Sequence, residues 1–142
     1  MKWLKKLQLL TNVKIPRWLG FKQGSEENVS LHVSCDASSQ AYATVIFLRI
    51  EVNNQICVQF VQSKARVSPL KNVTIARLEL LSCCIGARLS AVVVKDLQLA
   101  NFKIFYWSDS MTALCWIKRD AQWGTFVWNR VKEIRFLTQV EQ

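Results

Sequence analysis

The sequence predicts a single domain of the α/β class, in which helices flank a mixed sheet made of a three-strand antiparallel meander and one parallel strand. Three observations support this. Residues 31–36 alternate apolar and polar side chains with a period of two, and two further strand-like runs, separated by short turn signals, follow up to residue 63. Residues 74–95 carry an apolar stripe of helical period instead. Residues 102–107 form one apolar run, and two helical stretches follow it.

Residues 1–28 are predicted to be an N-terminal arm, and residues 29–142 to be the folded domain, which is long enough to bury one core. A short helix is expected at the start of the arm. Its apolar stripe consists of Trp3, Leu4, Leu7 and Leu10. Pro16 ends this helix, because proline disfavours helical geometry at the residue before it. The polar, turn-rich residues 24–28 mark the boundary.

The antiparallel meander follows this boundary. In its first strand the alternation places His32 and Asp36 on the same face. The second strand, Ala41 to Val52, is rich in β-branched and aromatic residues. Asn53-Asn54 is typical of a hairpin turn and predicts a third strand over residues 56–63.

A long helix is predicted to begin after Thr74, which suits an N-cap, and to end near Lys95. Its apolar stripe consists of Leu78, Leu81, Ile85, Leu89 and Val92. Glu79 lies on a different line of the helix. The other residues of that line are small: Ser82, Cys83, Gly86 and Ser90. A helix face lined with small residues can approach a sheet closely, so Glu79 is placed to reach the end of a strand.

The apolar run of residues 102–107 is predicted to be a strand that is buried on both faces and lies parallel to the first strand. Asp109 follows it and precedes a short helix. The last helix buries one side, formed by Val127, Val131 and Ile134. Three tryptophans are expected in the core: Trp107, Trp116 and Trp128.

Lysine and arginine outnumber the acidic residues by 19 to 10, which gives a formal charge of +9. Such a surplus attracts polyanions, although a basic solvated surface is the alternative explanation. No acidic residue lies between Val52 and Leu78, and residues 64–73 are predicted to be a loop within this basic stretch. The apolar runs are too short to cross a bilayer. The five cysteines contain no C-x-x-C pair, so we expect reduced thiols in an intracellular, cytoplasmic protein, with a virus-like particle or the nucleus left open.

Three acidic residues are candidates for a single site. Asp36 ends the first strand, Asp109 follows the fourth strand, and Glu79 lies on the long helix between them. Sites in α/β sheets form at the carboxyl ends of neighbouring strands. A single aspartate at a strand end is more often a turn or helix cap. The three together, in this order, predict a site for a divalent cation with oxygen ligands.

Four short segments strengthen this interpretation: IPRWLG at residues 15–20, VSCDAS at 33–38, IARLEL at 75–80 and YWSDS at 106–110. With the order of elements and the three acids, they resemble the ribonuclease H-like region of BEL/Pao-type retrotransposon polyproteins. The resemblance implies hydrolysis of the RNA strand of an RNA–DNA hybrid by two Mg²⁺ ions, with Mn²⁺ as a substitute. It also makes a reverse transcriptase domain of the same polyprotein a candidate partner, whereas the short apolar runs predict no membrane partner.

The same resemblance assigns roles to the acids. Asp36 would bridge both ions, and Glu79 and Asp109 would complete the ion on the leaving-group side, with Glu79 near the 2′-hydroxyl that marks RNA. Four basic residues are candidates for phosphate contacts: Lys64, Arg66, Lys71 and Arg77.

Two departures from the family pattern affect the expected activity. The family usually has proline where this chain has Ala76. It also has a fifth strand and a fourth carboxylate after the last helix, and this chain ends at Gln142 before either. We therefore expect a truncated domain that cleaves poorly or not at all. Three late acids do not replace the missing carboxylate: Asp120, Glu133 and Glu141.

Three alternative functions stay open. A nucleic-acid-binding remnant would keep the fold without catalysis. An integrase-type nuclease would use Asp36, Asp109 and Glu141, but this leaves Glu79 unexplained. An aspartic peptidase fits less well, because that chemistry uses paired Asp-Thr/Ser-Gly loops, whereas Asp109-Ser110 is followed by Met111.

Overall fold

The computed structural model describes residues 7–14, 28–70, 73–98 and 102–138. The strands are β1 (Val29–Ala37), β2 (Ala41–Val52), β3 (Gln55–Val67) and β4 (Lys103–Trp107), and the helices are α1 (Ile75–Asp96), α2 (Met111–Lys118) and α3 (Thr125–Thr138). Within the predicted arm, the described part is a 3-10 helix, Leu7–Asn12. Trp3, Leu4 and Pro16 lie outside the described residues.

The four described strands form one mixed sheet in the order β3-β2-β1-β4. The first three pair antiparallel, and β4 lies parallel to β1. Asn53 and Asn54 turn the chain between β2 and β3 with φ angles of 51° and 60°. Positive φ at both central residues is the geometry of a type I′ hairpin, and asparagine tolerates it. The predicted meander and its parallel fourth strand are therefore confirmed.

The third strand is longer than predicted. It continues to Val67, so Lys64 and Arg66 lie on β3 and not in a loop. Pairing with β2 explains the difference, because Lys64 and Arg66 are opposite Thr44 and Tyr42 in a strand that begins at residue 41. The side chains of residues 62–67 are all exposed, so this part of the strand lacks the alternation of apolar and polar residues that would have predicted it.

The prediction that β4 is buried on both faces is wrong. Phe105, Tyr106 and Trp107 are 43%, 37% and 54% exposed. Among the described strands β4 pairs only with β1, so it lies at an edge of the sheet. The prediction failed because an apolar run does not distinguish an edge strand from a central one. Trp107 is therefore not a core residue. Trp128 is not one either, at 45% exposed on α3, whereas Trp116 is partly buried.

Helix α1 packs across β1 and β2 and closes the main core. Its partners in the sheet are fully buried aliphatic side chains, which include Leu31, Val33, Ile46 and Leu48. Of the predicted apolar stripe, Leu78, Ile85 and Leu89 are buried, Leu81 is partly buried, and Val92 is 50% exposed. Helices α2 and α3 pack against another side of α1 and form a second cluster. The fully or nearly buried members of this cluster include Leu80, Cys84, Ile117, Val127, Val131 and Ile134.

Candidate metal centre at the rim of the sheet

The parallel pairing of β1 and β4 brings two of the predicted acids to one rim. Asp36 is the penultimate residue of β1, and Asp109 comes two residues after β4 ends. Because parallel neighbours end at the same edge, the two carboxylates lie side by side. Glu79, in the second turn of α1, joins them, and one carboxylate oxygen from each of the three residues lies within 4.8 Å of the others.

Glu79 is the buried member of this cluster. Glu79 is only 6% exposed, whereas Asp36 and Asp109 are exposed. The backbone N–H of Ala37 donates a hydrogen bond of 3.2 Å to Glu79 Oε1 and so ties α1 to the end of β1. Glu79 Oε2 is also buried, and no described residue donates a hydrogen bond to it. A buried carboxylate oxygen without a partner carries a desolvation cost that a bound cation would offset.

The small residues on the Glu79 line explain how the helix comes so close to the sheet. A Cβ atom placed on Gly86 would lie 2.6 Å from Cys35 Sγ and 3.0 Å from Thr44 Oγ1. Ser82 and Ser90 on the same line are fully buried. Each of these two serines turns its hydroxyl back to a carbonyl of its own helix, Glu79 O and Ala87 O respectively. The predicted close approach of this helix face is confirmed.

Neighbouring serines, and not Asp36 or Asp109, accept the hydrogen bonds that stabilise the turn after β1 and the start of α2. In the turn after β1, Ser38 Oγ accepts hydrogen bonds of 3.2 Å from the N–H groups of Gln40 and Ala41. At the start of α2, Ser110 Oγ accepts from Ala113 N at 3.2 Å and caps the helix. Neither Asp36 nor Asp109 is used as the turn or helix cap, so their carboxylates are available to a ligand.

The electrostatics of the cluster favour a bound cation. Burial raises the pKa of Glu79 above its ordinary value, and the neighbouring charges of Asp36 and Asp109 raise it further, against the opposing effect of the Ala37 hydrogen bond. Like charges held this close disfavour each other's ionised form. A divalent cation reverses that repulsion, because it attracts all three carboxylates at once.

The donor set fits Mg²⁺ or Mn²⁺. All three candidate ligands are carboxylates, the hard oxygen donors that these ions prefer, and the exposed positions of Asp36 and Asp109 leave room for water and substrate. The unpartnered Oε2 of Glu79 supplies a second, independent indication. Among the described residues no other group of three or more histidine, cysteine or acidic side chains has this spacing.

Two of the predicted phosphate-contacting residues lie at the same end of the sheet. Asp36 pairs with Ala43 on β2, and Ala43 pairs with Ala65 on β3. Since neighbouring strands are about 4.8 Å apart, this row places the backbone of Ala65 about 10 Å from that of Asp36. Lys64 and Arg66 flank Ala65, and both are exposed.

Of the other two basic candidates, Arg77 lies near Glu79 along α1. Arg77 is exposed on the first turn of α1, two residues before Glu79, and its guanidinium lies 5.1 Å from the centre of the Phe126 ring. Lys71 lies outside the described residues, as does Glu141 of the integrase-type alternative.

One feature beside the cluster was missed by sequence reasoning. His32 is a side chain of β1, as predicted, but its ring stacks on Phe105 and Trp107 of β4 at centroid distances of 5.1 and 5.9 Å. The indole N–H of Trp107 donates to His32 Nδ1 at 3.0 Å. Burial, and then the charge of Arg49, lower the pKa of His32. Only the position of β4 beside β1 could have revealed this stack, since no local pattern links residues 32 and 107.

The model of the family described as "Pao retrotransposon-like RNaseH-like domain" matches residues 1–110, which is more than half of the chain and includes all three acids. The chain belongs to this family. No curated protein sequence matches it significantly.

Membership of the Pao retrotransposon-like RNaseH-like family agrees with the architecture described above. The mixed sheet of three antiparallel strands and one parallel strand, flanked by helices, is consistent with a ribonuclease H-like fold. Ribonuclease H-like proteins generally use divalent metal and bind nucleic acid, and the acid cluster provides a place for such a metal. Among the described residues, no helix is both long enough and apolar enough to span a membrane.

Proposed function

We propose that this domain hydrolyses the RNA strand of RNA–DNA hybrids, with Asp36, Glu79 and Asp109 as the ligands of Mg²⁺ or Mn²⁺. The observation that carries the proposal is the convergence of three carboxylates at one rim, where the most buried of them has an unpartnered oxygen. Bound there, divalent cations supply activation of water and stabilisation of charge on the scissile phosphate.

The three acids are held in different ways, and this suggests different tasks. Glu79 is fixed by burial and by the Ala37 hydrogen bond, so it sets the position of the cluster. Asp36 and Asp109 are exposed and face solvent, where a phosphate group of the substrate would arrive. The bridging role for Asp36, and the proximity of Glu79 to the 2′-hydroxyl, are carried over from the family pattern.

Exposed basic residues would position the nucleic acid. Lys64 and Arg66 lie about two strands from Asp36, and Arg77 precedes Glu79 by two residues. None of the three forms an ion pair with a described carboxylate, so each can contact a backbone phosphate. RNA–DNA hybrids are made by reverse transcription, so a reverse transcriptase domain is the expected source of the substrate.

Cleavage of a labelled RNA–DNA hybrid in the presence of Mg²⁺ or Mn²⁺ tests the proposal. Asp36→Asn should lower the rate at least about a hundredfold, since it removes a ligand charge where the phosphate reacts. Asp96→Asn is the matched control, because it makes the same chemical change on an exposed residue at the far end of α1. Equal rates for the wild type and Asp36→Asn would refute the proposed role.

Binding without cleavage is the second candidate function, and the free basic residues favour it independently of the acids. In that case the wild-type chain and Asp36→Asn would bind the hybrid with the same salt-dependent affinity, and neither would cut it. Absence of binding at low salt would contradict both functions.

A further inference from the structure

A cavity of about 310 Å³ lies between the sheet and helices α1 and α3, and it is lined by three arginines. Its polar lining residues are Tyr42, Arg66, Arg88, Asn129, Arg130 and Glu133. The volume is at the lower end of the range for small-ligand sites, roughly 300–1,000 Å³. Glu133 is the only carboxylate among the described lining residues, which together carry a net positive charge.

The cavity is separate from the acid cluster. Leu81 and Arg88, which line it, follow Glu79 by two and nine residues. At about 100° per residue they lie about 200° and 180° around α1 from Glu79, on the opposite side of the helix. On α1 the cavity therefore lies on the side opposite Glu79, and it shares with the rim of the metal centre only Arg66, which flanks the strand row of Asp36.

Two of the arginines are held in place by described neighbours and keep unused donors. Arg88 donates from Nε and a terminal nitrogen to the two oxygens of Glu133, at 2.6 and 2.8 Å. Arg130 stacks on the Phe126 ring, with its guanidinium carbon 4.0 Å from the ring centre, and donates one hydrogen bond to Phe126 O. A guanidinium has five N–H donors, so the described residues leave three donors of Arg88 and four of Arg130 unused.

The third arginine and the neutral lining complete the donor set. Arg66 reaches the cavity from β3, opposite Tyr42 in the sheet, and forms no ion pair with a described carboxylate. Burial raises the pKa of the lining residue Cys84 to about 12, so its thiol adds no negative charge. Arginines from three elements line this one cavity, and a planar guanidinium group suits the oxygen geometry of a phosphate group.

We propose that the cavity bounded by Arg66, Arg88 and Arg130 binds a phosphate group, carried by a nucleic-acid strand or by free phosphate. Arg130 is pre-positioned by Phe126, Arg88 pairs with Glu133 when no ligand is bound, and Arg66 closes the site from the sheet. Glu133 acts as an internal competitor, since its carboxylate occupies donors of Arg88 that a phosphate would use.

Titration of the full chain with inorganic phosphate at low, constant ionic strength tests this site. Arg66→Gln should weaken binding roughly tenfold or more, which is the loss of a charge-assisted hydrogen bond. Arg49→Gln is the matched control. It removes the same charge from another strand, where the side chain pairs with Glu51 at 2.8 Å, and it should change the affinity less than about twofold.

Glu133→Gln gives a result of opposite sign. By removing the competing carboxylate it should tighten phosphate binding roughly threefold or more. A purely structural role for the arginines predicts no such gain. Equal weakening by Arg66→Gln and Arg49→Gln, or no tightening by Glu133→Gln, would overturn the proposal.

A short single-stranded oligonucleotide distinguishes the two sources of phosphate. If the ligand is a nucleic-acid strand, Arg130→Gln, which changes a residue outside the proposed substrate contacts at the rim, weakens the binding of oligonucleotide and phosphate alike, and the oligonucleotide displaces phosphate. If the ligand is free phosphate, only phosphate binding changes. The test does not depend on catalysis, because Asp36→Asn should bind phosphate as the wild type does even if no hybrid is ever cleaved.

Discussion

The two sides of helix α1 have different roles. The side that faces the sheet carries Glu79, Gly86 and Ser90, which are small apart from the glutamate and let the helix lie close to β1. The side that faces α2 and α3 carries Leu80 and Cys84, which pack in an ordinary apolar cluster. The sheet-facing side therefore determines the geometry of the site, and the side that faces α2 and α3 supplies stability.

Leu80→Ala should have the largest effect on stability and little effect on the site. Leu80 is fully buried, so its truncation leaves a cavity and should cost about 3 kcal/mol of unfolding free energy. Chemical denaturation measures this cost. The fully exposed Leu70 offers the control Leu70→Ala, which should cost less than about 0.5 kcal/mol. A loss of Mn²⁺ affinity in folded Leu80→Ala would contradict the division between the two sides.

Gly86→Ala should damage the sheet-facing side. The new Cβ would meet Cys35 Sγ at 2.6 Å, and the overpacking of roughly 2–3 kcal/mol exceeds the gain of about 1 kcal/mol in helix propensity. A net loss of about 1–2 kcal/mol is expected, together with a roughly tenfold weaker metal affinity as Glu79 moves away. Cys35→Ala in the same chain should restore part of both.

Gly124→Ala is the control for this change, because a Cβ there meets no atom within 4 Å. Its cost should stay below about 1 kcal/mol, the effect of alanine at the start of α3. Metal affinity should not change. If both glycine variants behave alike, the close approach of α1 is not what positions Glu79.

Glu79→Gln should change stability in the opposite direction. In metal-free buffer at neutral pH it removes a buried charge that Asp36 and Asp109 repel, so the variant should be more stable than the wild type by about 1 kcal/mol. Thermal unfolding in the presence of a chelator measures the difference. Lower stability of the variant would mean that the carboxylate is favourably placed without a cation.

The same charge predicts a pH dependence. The pKa of Glu79 is raised in the folded chain, so the folded state holds a proton that the unfolded state releases. Metal-free stability should therefore fall as pH rises from the ordinary glutamate pKa of 4.5 through the raised one, and this component should be missing from Glu79→Gln. If stability depends on pH identically in the wild type and Glu79→Gln, the raised pKa of Glu79 does not contribute to it.

The smallest effect on stability is expected at the exposed ion pair between α1 and α3. The Arg88–Glu133 ion pair is short, at 2.6 Å, but the Arg88 side chain is 60% exposed, so water screens it. Arg88→Gln should cost about 0.5 kcal/mol or less in a denaturation experiment. A cost comparable to that of Leu80→Ala would show that this pair contributes as much as the buried cluster.

Local patterns in the sequence predicted the elements that form the site. The alternation that ends at Asp36 predicted the end of β1, and Asn53-Asn54 predicted the hairpin. The line from Glu79 through Gly86 predicted the close helix face. All of these signals lie within a few residues of the feature they describe, because strand and helix periods are local properties.

What could not be predicted depends on distant partners. The extension of β3 through Arg66 is set by the length of β2, and the exposure of Trp107 is set by the edge position of β4. The cavity lined by Arg66, Arg88 and Arg130 combines residues from three elements, so no spacing in the sequence indicates it. Only the assembled fold shows which charged side chains face the same space.

Mn²⁺ binding, followed by the electron paramagnetic resonance of the free ion, tests the acid cluster most directly. We predict that the wild type and Asp96→Asn bind Mn²⁺ with equal affinity, whereas Glu79→Gln binds at least about tenfold more weakly although it is the more stable protein without metal. Wild-type affinity in Glu79→Gln would contradict a shared cation site at this rim of the sheet.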